Sequence, residues 1–548
     1  MFEAFFTISN LHLIIGIFAS IISAVLMVVI SQKFFQVLQL SGYKIHGYNT
    51  WLKDTRAKYV SRVTMLTILS LFCVLVTNML FDGYNKDGYL SYIGLVFYIY
   101  FTIIFVINAN KSQAKTPLVQ TRRMSRMISL LFIISFAISL ILICVSTTYI
   151  KFLGGGVLVL LPILVPILVP IVHFIMAPFE NIIRANYVRK AKKKLENYPN
   201  LIKIAITGSF GKTSTKYILN RMLAAKYDVC MTPHSYNTPM GLTKVVLNYL
   251  KPNHEVLITE MGAKQQGDID YLCKFINPTY GIITGVGSQH LETFGSIEKI
   301  AETKAELIKN LPNDGIAVIN TSNEWGQKIF DECNVEKKYA VSLHGKGLHV
   351  KNIMLSKSGS EFDLVTTDGE SVHCKTKLLG RHNVANILLA GQMALELGVS
   401  LQEIAESLKE MNPISHRLEV MQRGLLTIID DAFSANEEGA KYAVEYLALF
   451  GDDVKICVTP GIVELGERAE EVNVELGCLL GAICDKVIIV NNVNEEALRK
   501  GLLASGIDKN NVFFAEDLTI AKLQITLTLE PGKPHTVLFL NDLPDSYI

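Results

Sequence analysis

Residues 201–223 read LIKIAITGSFGKTSTKYILNRML. Leu201–Thr207 has the unbroken apolar, β-branched character of a buried strand. It runs straight into Gly208-Ser209-Phe210-Gly211-Lys212-Thr213-Ser214-Thr215, after which the spacing of Tyr217, Ile218, Met222 and Leu223 predicts a helix. Strand, glycine loop and helix together make a phosphate site. The glycines let backbone N–H groups close on phosphate oxygens, Lys212 supplies a point charge, and the Thr213 hydroxyl can ligate Mg²⁺. In the generic phosphate loop a first glycine stands five residues before the second; here Ile206 holds that place, so the spacing is a variant. The Lys-Thr pair and the strand context argue against a mere glycine turn ahead of a helix.

Three clusters extend this reading downstream. Val256–Glu260 (VLITE) is a second buried strand that ends in Glu260-Met261-Gly262. A carboxylate at the C-terminal end of a strand beside a phosphate loop is placed to hold Mg²⁺. Tyr280–Val286 is a third strand, and Gly287–Ser296 (GSQHLETFGS) follows with His290 in it. Ile300–Leu307 is then a helical run with Lys304 facing the same region.

Upstream the composition changes. Half of the 548 residues are apolar and the formal charge is +2, with a mean hydropathy of +0.32. Residues 1–199 hold 19 Lys/Arg against 6 Asp/Glu, and the rest hold 33 against 44. A basic, apolar front precedes a mildly acidic back, which excludes one homogeneous globule. The basic charge sits between apolar runs, which argues against nucleic acid as a partner. Nine cysteines form no CxxC pair; Cys73 and Cys144 lie in apolar runs, and a reducing compartment suits the other seven.

Five runs are long enough to cross a bilayer: Leu11–Ser31, Val63–Phe81, Tyr89–Ala109, Met127–Thr147 and Phe152–Ala177. The fifth carries Pro162, Pro166 and Pro170 after Gly154–Gly156. It reads either as a span whose freed carbonyls neighbouring helices shelter, or as a re-entrant or interfacial segment. Lys33, Lys44, Lys53, Arg56, Lys58 and Arg62 follow the first run, and Lys111, Lys115, Arg122, Arg123 and Arg126 follow the third. Arg184, Arg189, Lys190 and Lys192–Lys194 follow the fifth, while Lys86 and Lys151 alone serve the other two loops. Basic loops stay cytoplasmic, so the N-terminus is expected outside and the large C-terminal half inside the cell. The tail Arg184–Lys194 reads either as a flank against lipid headgroups or as a binder of an anionic lipid or polyanionic substrate. None of the runs contains Asp, Glu, Lys or Arg, and His12 and His173 lie near run ends, so an ion-coupled transporter has little support.

Taken together these motifs resemble the Mur ligase superfamily, closest to its MurF branch, which joins D-alanyl-D-alanine to a UDP-muramoyl tripeptide. The resemblance covers roughly residues 200–548. It is carried by TGSFGKTST (207–215), SYNTPMGLT (235–243), TEMGAKQQGDI (259–269), HLETFGS (290–296), AETKAEL (301–307), GRHNVANILLA (380–390), SHRLE (415–419), IDDAFSAN (429–436) and ELGERAEEVNVELG (464–477). The resemblance implies a central ATPase domain and a C-terminal Rossmann-like domain. It implies that Gly208, Ser209, Gly211, Lys212, Thr213 and Ser214 bind the phosphates of ATP. Thr213 and Glu260 would hold one Mg²⁺ and His290 a second, with Lys304 at the position of a lysine that several members carbamylate to support that ion. Asn383 would contact adenine, Arg417 the γ-phosphate on closure, and Asp431 the region near the ribose. Asn237 and Thr238 would lie by the acceptor carboxyl. The implied reaction makes a carboxylate into an acyl phosphate, which an amine attacks to give an amide, with Lys212, His290, Lys304 and Arg417 as catalytic residues.

The chain departs from the branch in four places. Apolar runs stand where the family has its UDP-sugar domain. Thr459-Pro460-Gly461-Ile462-Val463 replaces a GDM-like turn before ELG, and DDAFSANEE (430–438) replaces DDSYNANP, with Phe433, Ser434 and Glu437 as differences. The end, FLNDLPDSYI, lacks the branch's lysine-glycine-serine-arginine type of substrate motif.

The expected architecture is therefore an α-helical membrane domain at 1–178, a basic linker at 179–200, a central ATP-binding α/β domain at 201–420 and a Rossmann-like α/β domain at 421–548. The expected protein is a multi-pass, membrane-anchored, Mg²⁺- and ATP-dependent amide ligase in cell-envelope polymer synthesis. Its acceptor would be a lipid-linked or polymeric carboxylate and its amine an amino acid or dipeptide, with cell-envelope enzymes as candidate partners. A poly-γ-glutamate synthase-type ligase, a MurF acting on UDP-muramoyl tripeptide and a non-catalytic membrane scaffold stand as alternatives.

Overall fold

The computed structural model describes residues 10–54, 60–80, 93–111, 117–149, 154–343, 345, 347–433, 436–541 and 543. Residues 89–92 of the third run, Arg56, Lys58, Lys86, Lys115, Lys151 and Ser434 lie outside the described residues. The chain divides into a front unit that ends at Arg184 and a second unit, Ala185–Leu543.

In the front unit every predicted run is helical among the described residues. The helices are α1 (Asn10–Leu40), α2 (Ile45–Asp54), α3 (Val60–Leu80), α4 (Ile93–Lys111), α5 (Arg122–Tyr149) and α6 (Val165–Glu196), with a 3₁₀ stretch at Gly154–Leu164. Ile14–Leu40, Arg122–Ser146 and Val157–Glu196 are long and apolar enough to cross a bilayer, and Arg62–Thr77 is a shorter apolar stretch. These helices are candidates for a membrane domain. Met27, Phe34, Leu66, Val74, Tyr98, Met127, Leu131 and Val169 form their shared core. Their other faces expose large apolar side chains, Phe18 at 64%, Phe72 at 63% and Phe174 at 80%. Such a surface suits hydrocarbon better than water. Ser23 and Ser139 hydrogen-bond at 3.3 Å, and small residues of this kind let helices approach closely.

The prolines of the fifth run have a structural answer. Pro170 has no N–H, so the Pro166 carbonyl one turn back loses its helical partner. The Tyr48 hydroxyl of α2 donates to that carbonyl at 3.0 Å. A neighbouring helix thus shelters the freed carbonyl, as membrane-depth backbone requires.

Among the described residues the second unit holds three sheets. The first contains β1 (Ile202–Thr207), β2 (Val229–Met231), β3 (Val256–Glu260), β4 (Tyr280–Ile283), β5 (Ile316–Asn320) and β6 (Lys337–Val341), in the order β2-β3-β1-β4-β5-β6. All its pairings are parallel. Ile204, Ile206, Ile258, Ile282 and Val318 fill one face, and Ala205, Leu257, Ile283 and Ala317 the other. Burial on both faces is why these strands read as continuous apolar runs. β1 lies between β3 and β4, so the order of connection reverses there; open α/β sheets bind ligands at the strand C-termini of such a point.

β7 (His349–Ser356), β8 (Gly359–Val365) and β9 (Ser371–Thr376) form a small antiparallel sheet that the motifs did not announce. β10 (Glu419–Arg423), β11 (Leu426–Asp431), β12 (Val454–Thr459), β13 (Lys486–Val490), β14 (Val512–Ala515) and β15 (His535–Leu540) form the last sheet, in the order β10-β11-β15-β12-β13-β14. It is parallel except for the edge hairpin β10–β11.

Candidate functional site

The glycine loop leaves the C-terminal end of β1 and opens the helix Lys212–Leu223. Gly208 and Gly211 adopt φ of 150° and 76°. A Cβ on Gly208 would lie 2.1 Å from Thr284 Oγ1, and one on Gly211 2.5 Å from Asn386 Oδ1. Only glycine fits this cradle. The Ser209 hydroxyl and the Gly287 backbone bind each other at 3.1 Å, which fastens the loop to the segment after β4. Ser214 is buried in the helix's first turn. The Lys212 ammonium lies along the loop and donates to the carbonyls of Gly208 and Ser209, at 2.6 and 3.0 Å.

Glu260 ends β3 and pairs in register with Ile206, which sets it beside the loop. Its carboxylate is 1% exposed. It accepts from Thr213 Oγ1 at 3.0 Å, Lys216 Nζ at 3.1 Å and Asn237 Nδ2 at 3.1 Å. Burial would raise its pKa; Lys216 and Lys212 outweigh that and hold the carboxyl below its ordinary range. Asn237 is anchored in turn, its carbonyl accepting from the Gly262 amide at 2.9 Å. Thr238 caps the helix Pro239–Asn248, its hydroxyl accepting from the Gly241 amide at 3.3 Å.

Two further lysines, Lys212 and Lys304, share this field. Burial lowers Lys212 to about 8, with Glu260 opposing the shift and Arg417 adding to it. Burial lowers Lys304, 3% exposed on the helix Ile297–Lys309, to about 7, and the charge of Lys212 adds to it. Arg417 feels the attraction of Asp431 and Glu260. Lys212, Thr213, Glu260, Asn237, Lys304 and Arg417 are thus in one neighbourhood.

The other predicted residues sit around it. His290 has φ 63° and its Nδ1 is hydrogen-bonded to the Glu464 carboxylate. The Glu292 amide donates to the Glu464 carbonyl at 3.1 Å. Ser288 donates to Glu437 at 2.6 Å, and Arg468 meets the same carboxylate at 3.2 Å. The segment 287–296 is therefore gripped by residues of the last sheet's domain. Asn383 is buried, donates to the Leu379 carbonyl at 2.8 Å and accepts from Asn386 at 3.4 Å. Asn386 also receives the Thr215 hydroxyl at 3.2 Å, which ties Asn383 to the back of the glycine helix. Asp431 accepts from the Leu418 amide at 3.0 Å, next to Arg417.

Motif reading missed Lys216, Asn386, His382 and Glu464. Lys216 stands four residues after Lys212, so helical spacing alone places it on the same face. His382 packs on Tyr442 at 5.4 Å, and burial with the Arg417 charge lowers it to about 4. The donor set of backbone amides, ammonium, hydroxyl and carboxylate suits a magnesium nucleotide.

Residues 206–394 match the Mur ligase middle domain. The UDP-N-acetylmuramoyl-tripeptide–D-alanyl-D-alanine ligase of Escherichia coli (strain K12) is 29% identical over 337 residues, 60% of this chain and 73% of that protein. The Bacillus subtilis (strain 168) enzyme of the same name is 31% identical over 285 residues, 50% of this chain and 60% of that protein. The chain thus spans between about three fifths and three quarters of these two curated relatives. Among solved structures, MurF from Acinetobacter baumannii matches with a TM-score of 0.59 at 26% identity, covering 65% of this chain and 77% of that one. MurF ligase from Thermotoga maritima in complex with ADP matches with a TM-score of 0.59 at 27% identity, covering 66% and 80%. The α/β fold is that of the Mur ligases, whose members are ATP-dependent amide-bond ligases using ATP and Mg²⁺. This chain is similar to the MurF-type members of the Mur ligase superfamily and carries the Mur ligase middle domain at residues 206–394.

Proposed function

We propose that this chain is a membrane-anchored ligase that makes an amide from a carboxylate and the amine of an amino acid or dipeptide. The observation that carries the reading is the convergence of Thr213, Lys216 and Asn237 on the buried Glu260 beside the glycine loop. A bound magnesium nucleotide supplies the phosphoryl group that makes a carboxylate electrophilic. Lys212 and the loop amides would hold its phosphates, and Thr213 and Glu260 would hold one Mg²⁺. His290 would hold a second. Lys304, set near neutrality, takes up CO₂ as a carbamate, releasing a proton, and so adds a carboxylate to the second metal's surroundings. Arg417 neutralises charge on the phosphoryl oxygens, Asn383 meets adenine, Asp431 the ribose side, and Asn237 and Thr238 the acceptor. These groups act by alignment and electrostatic stabilisation.

The apolar helices of residues 10–184 favour an acceptor carboxylate that is lipid-linked or polymeric, concentrated at the ligase by the anchor. The second reading is the reaction in the relatives' name, with UDP-muramoyl tripeptide and D-alanyl-D-alanine, and sequence identity favours it. Phosphate release by the full chain in detergent, screened over amines against UDP-muramoyl tripeptide, a membrane lipid extract and oligo-γ-glutamate, separates them. Release that requires a lipid-borne or polymeric acceptor supports the first reading. Release with the UDP-tripeptide supports the second, and none at all with ATP binding intact favours a scaffold. Lys212→Ala abolishes product and leaves membrane insertion unchanged; turnover near the wild-type rate overturns the site.

A further inference from the structure

Arg123 is the second residue of α5, and its guanidinium carbon lies 3.6 Å from the centre of the Tyr43 ring. Tyr43 closely follows α1 and stacks on His173 of α6, with ring centres 6.4 Å apart and planes at 20°. Arg126, one turn further along α5, grips Glu180 with two hydrogen bonds, at 2.6 and 2.9 Å. Arg184 lies within electrostatic reach of Arg123. Gln39 and Val119 bond each other in both directions at 2.9 Å and hold the start of α5 to the end of α1. Two helices distant in sequence thus bring three arginines, a histidine and one carboxylate to the neighbourhood of Tyr43. That carboxylate is already spent on Arg126. Arg123 Nε and His173 Nδ1 are enclosed with no hydrogen-bond partner among the described residues. Buried polar groups of this kind normally have one.

We propose that this cluster binds the phosphate of a membrane-lipid headgroup. A phosphate offers the charge and the acceptor oxygens that a guanidinium fork matches. The place is right for a headgroup, because α1, α5 and α6 supply the three apolar lengths fit to cross a bilayer and the cluster lies where α1 ends and α5 begins. Basic pockets between membrane helices on the cytoplasmic side take anionic headgroups, and tyrosine favours that depth. The site is distinct from the tail Arg189–Lys194, where Arg189, Lys190, Lys192 and Lys193 are exposed and Lys194 donates to the carbonyls of Leu247 and Leu250 at 3.1 and 2.7 Å. The inference rests on the membrane reading above.

The test uses the full chain in nanodiscs of the phosphate-free lipid digalactosyldiacylglycerol, after a carbonate wash of the membranes has reported insertion. Dodecyl phosphate, inorganic phosphate and a neutral dodecyl glycoside are the probes, read by binding and by the shift in thermal unfolding. The expected result is saturable binding of dodecyl phosphate alone, a raised unfolding temperature, and affinity at least about tenfold weaker in Arg123→Gln and in His173→Ala, with Arg189→Gln unchanged. His173→Ala keeps the test alive if Arg123→Gln fails to fold. Equal weakening by Arg189→Gln, equal affinity for inorganic phosphate or for the glycoside, or no binding by carbonate-resistant protein overturns the proposal alone. Release by carbonate overturns the membrane reading and the proposal with it.

Discussion

His290 Nδ1 is hydrogen-bonded to the carboxylate of Glu464, 174 positions away in the sequence. His290 belongs to the segment after β4 and Glu464 to the segment after β12, so one side chain from each α/β domain meets the other. The bond fixes which ring nitrogen of His290 remains for a metal, as carboxylates behind ligating histidines do elsewhere. Under the proposed role of His290 as a metal ligand, the segment that supplies Glu464 would orient the histidine and so couple metal binding to this contact.

Glu464→Gln should accordingly raise the Mg²⁺ concentration for half-maximal phosphate release by about 10- to 100-fold, the usual cost of losing such a partner. Nucleotide affinity without metal should hardly change. A Mg²⁺ titration identical to that of the wild type would show that Glu464 does nothing for His290.

The Lys216–Glu260 pair is a second target, with side chains 0% and 1% exposed. Lys216→Met leaves the Glu260 carboxylate buried beside Thr213 and Asn237 without its nearest charge. Removing one partner of such a pair costs about 3–5 kcal/mol. Thermal unfolding of the purified chain reads the loss. The pH dependence follows from the sign of the shift. Glu260 is held below its ordinary 4.5 in the folded protein, so the stability it contributes is complete above about that pH and is lost as pH falls through the lower folded value. Lys216→Met should therefore unfold with a weaker acid dependence than the wild type over that window.

Tyr48→Phe tests the front unit alone. The change deletes one hydroxyl and leaves the Pro166 carbonyl without the donor now at 3.0 Å. An unsatisfied buried acceptor costs about 1–3 kcal/mol. The variant should unfold earlier in detergent and bind ATP as the wild type does. Unchanged unfolding would mean that water replaces the hydroxyl.

What the sequence made legible is what is local. LIKIAITGSFGKTST is contiguous, so strand, loop and helix could be read from one stretch, and the five apolar runs needed only length and composition. Glu260 was legible because it closes a strand next in the same sheet. Lys216 was readable from helical spacing but lies just past the motif. Glu464 and Asn386 were not readable, because they reach His290 and Thr215 only after the chain has folded across 174 and 171 positions. Tyr48 is of the same kind: the prolines showed that a carbonyl would be freed, but not which residue would meet it. The antiparallel sheet β7–β9 escaped because its strands alternate in burial without any motif to mark them.

Lys304 carries the last prediction. Burial, with the charge of Lys212, lowers it to about 7. At that value roughly half of the amine is neutral at pH 7, against less than about a thousandth for an ordinary lysine. Only the neutral amine adds to CO₂, and the product is an anion that the neighbouring ammonium of Lys212 would stabilise. Native mass spectrometry of the full chain in bicarbonate should show the mass of one CO₂ added, lost in Lys304→Arg. The activity gained from bicarbonate should grow as pH rises through 7, since the neutral fraction grows in that direction. Lys304→Ala should lose activity and regain part of it with a short carboxylic acid, which can occupy the space and supply the missing charge. An enzyme indifferent to bicarbonate, with no added mass and no rescue, would leave Lys304 as a buried cation beside the phosphate loop and remove the carbamate from the site.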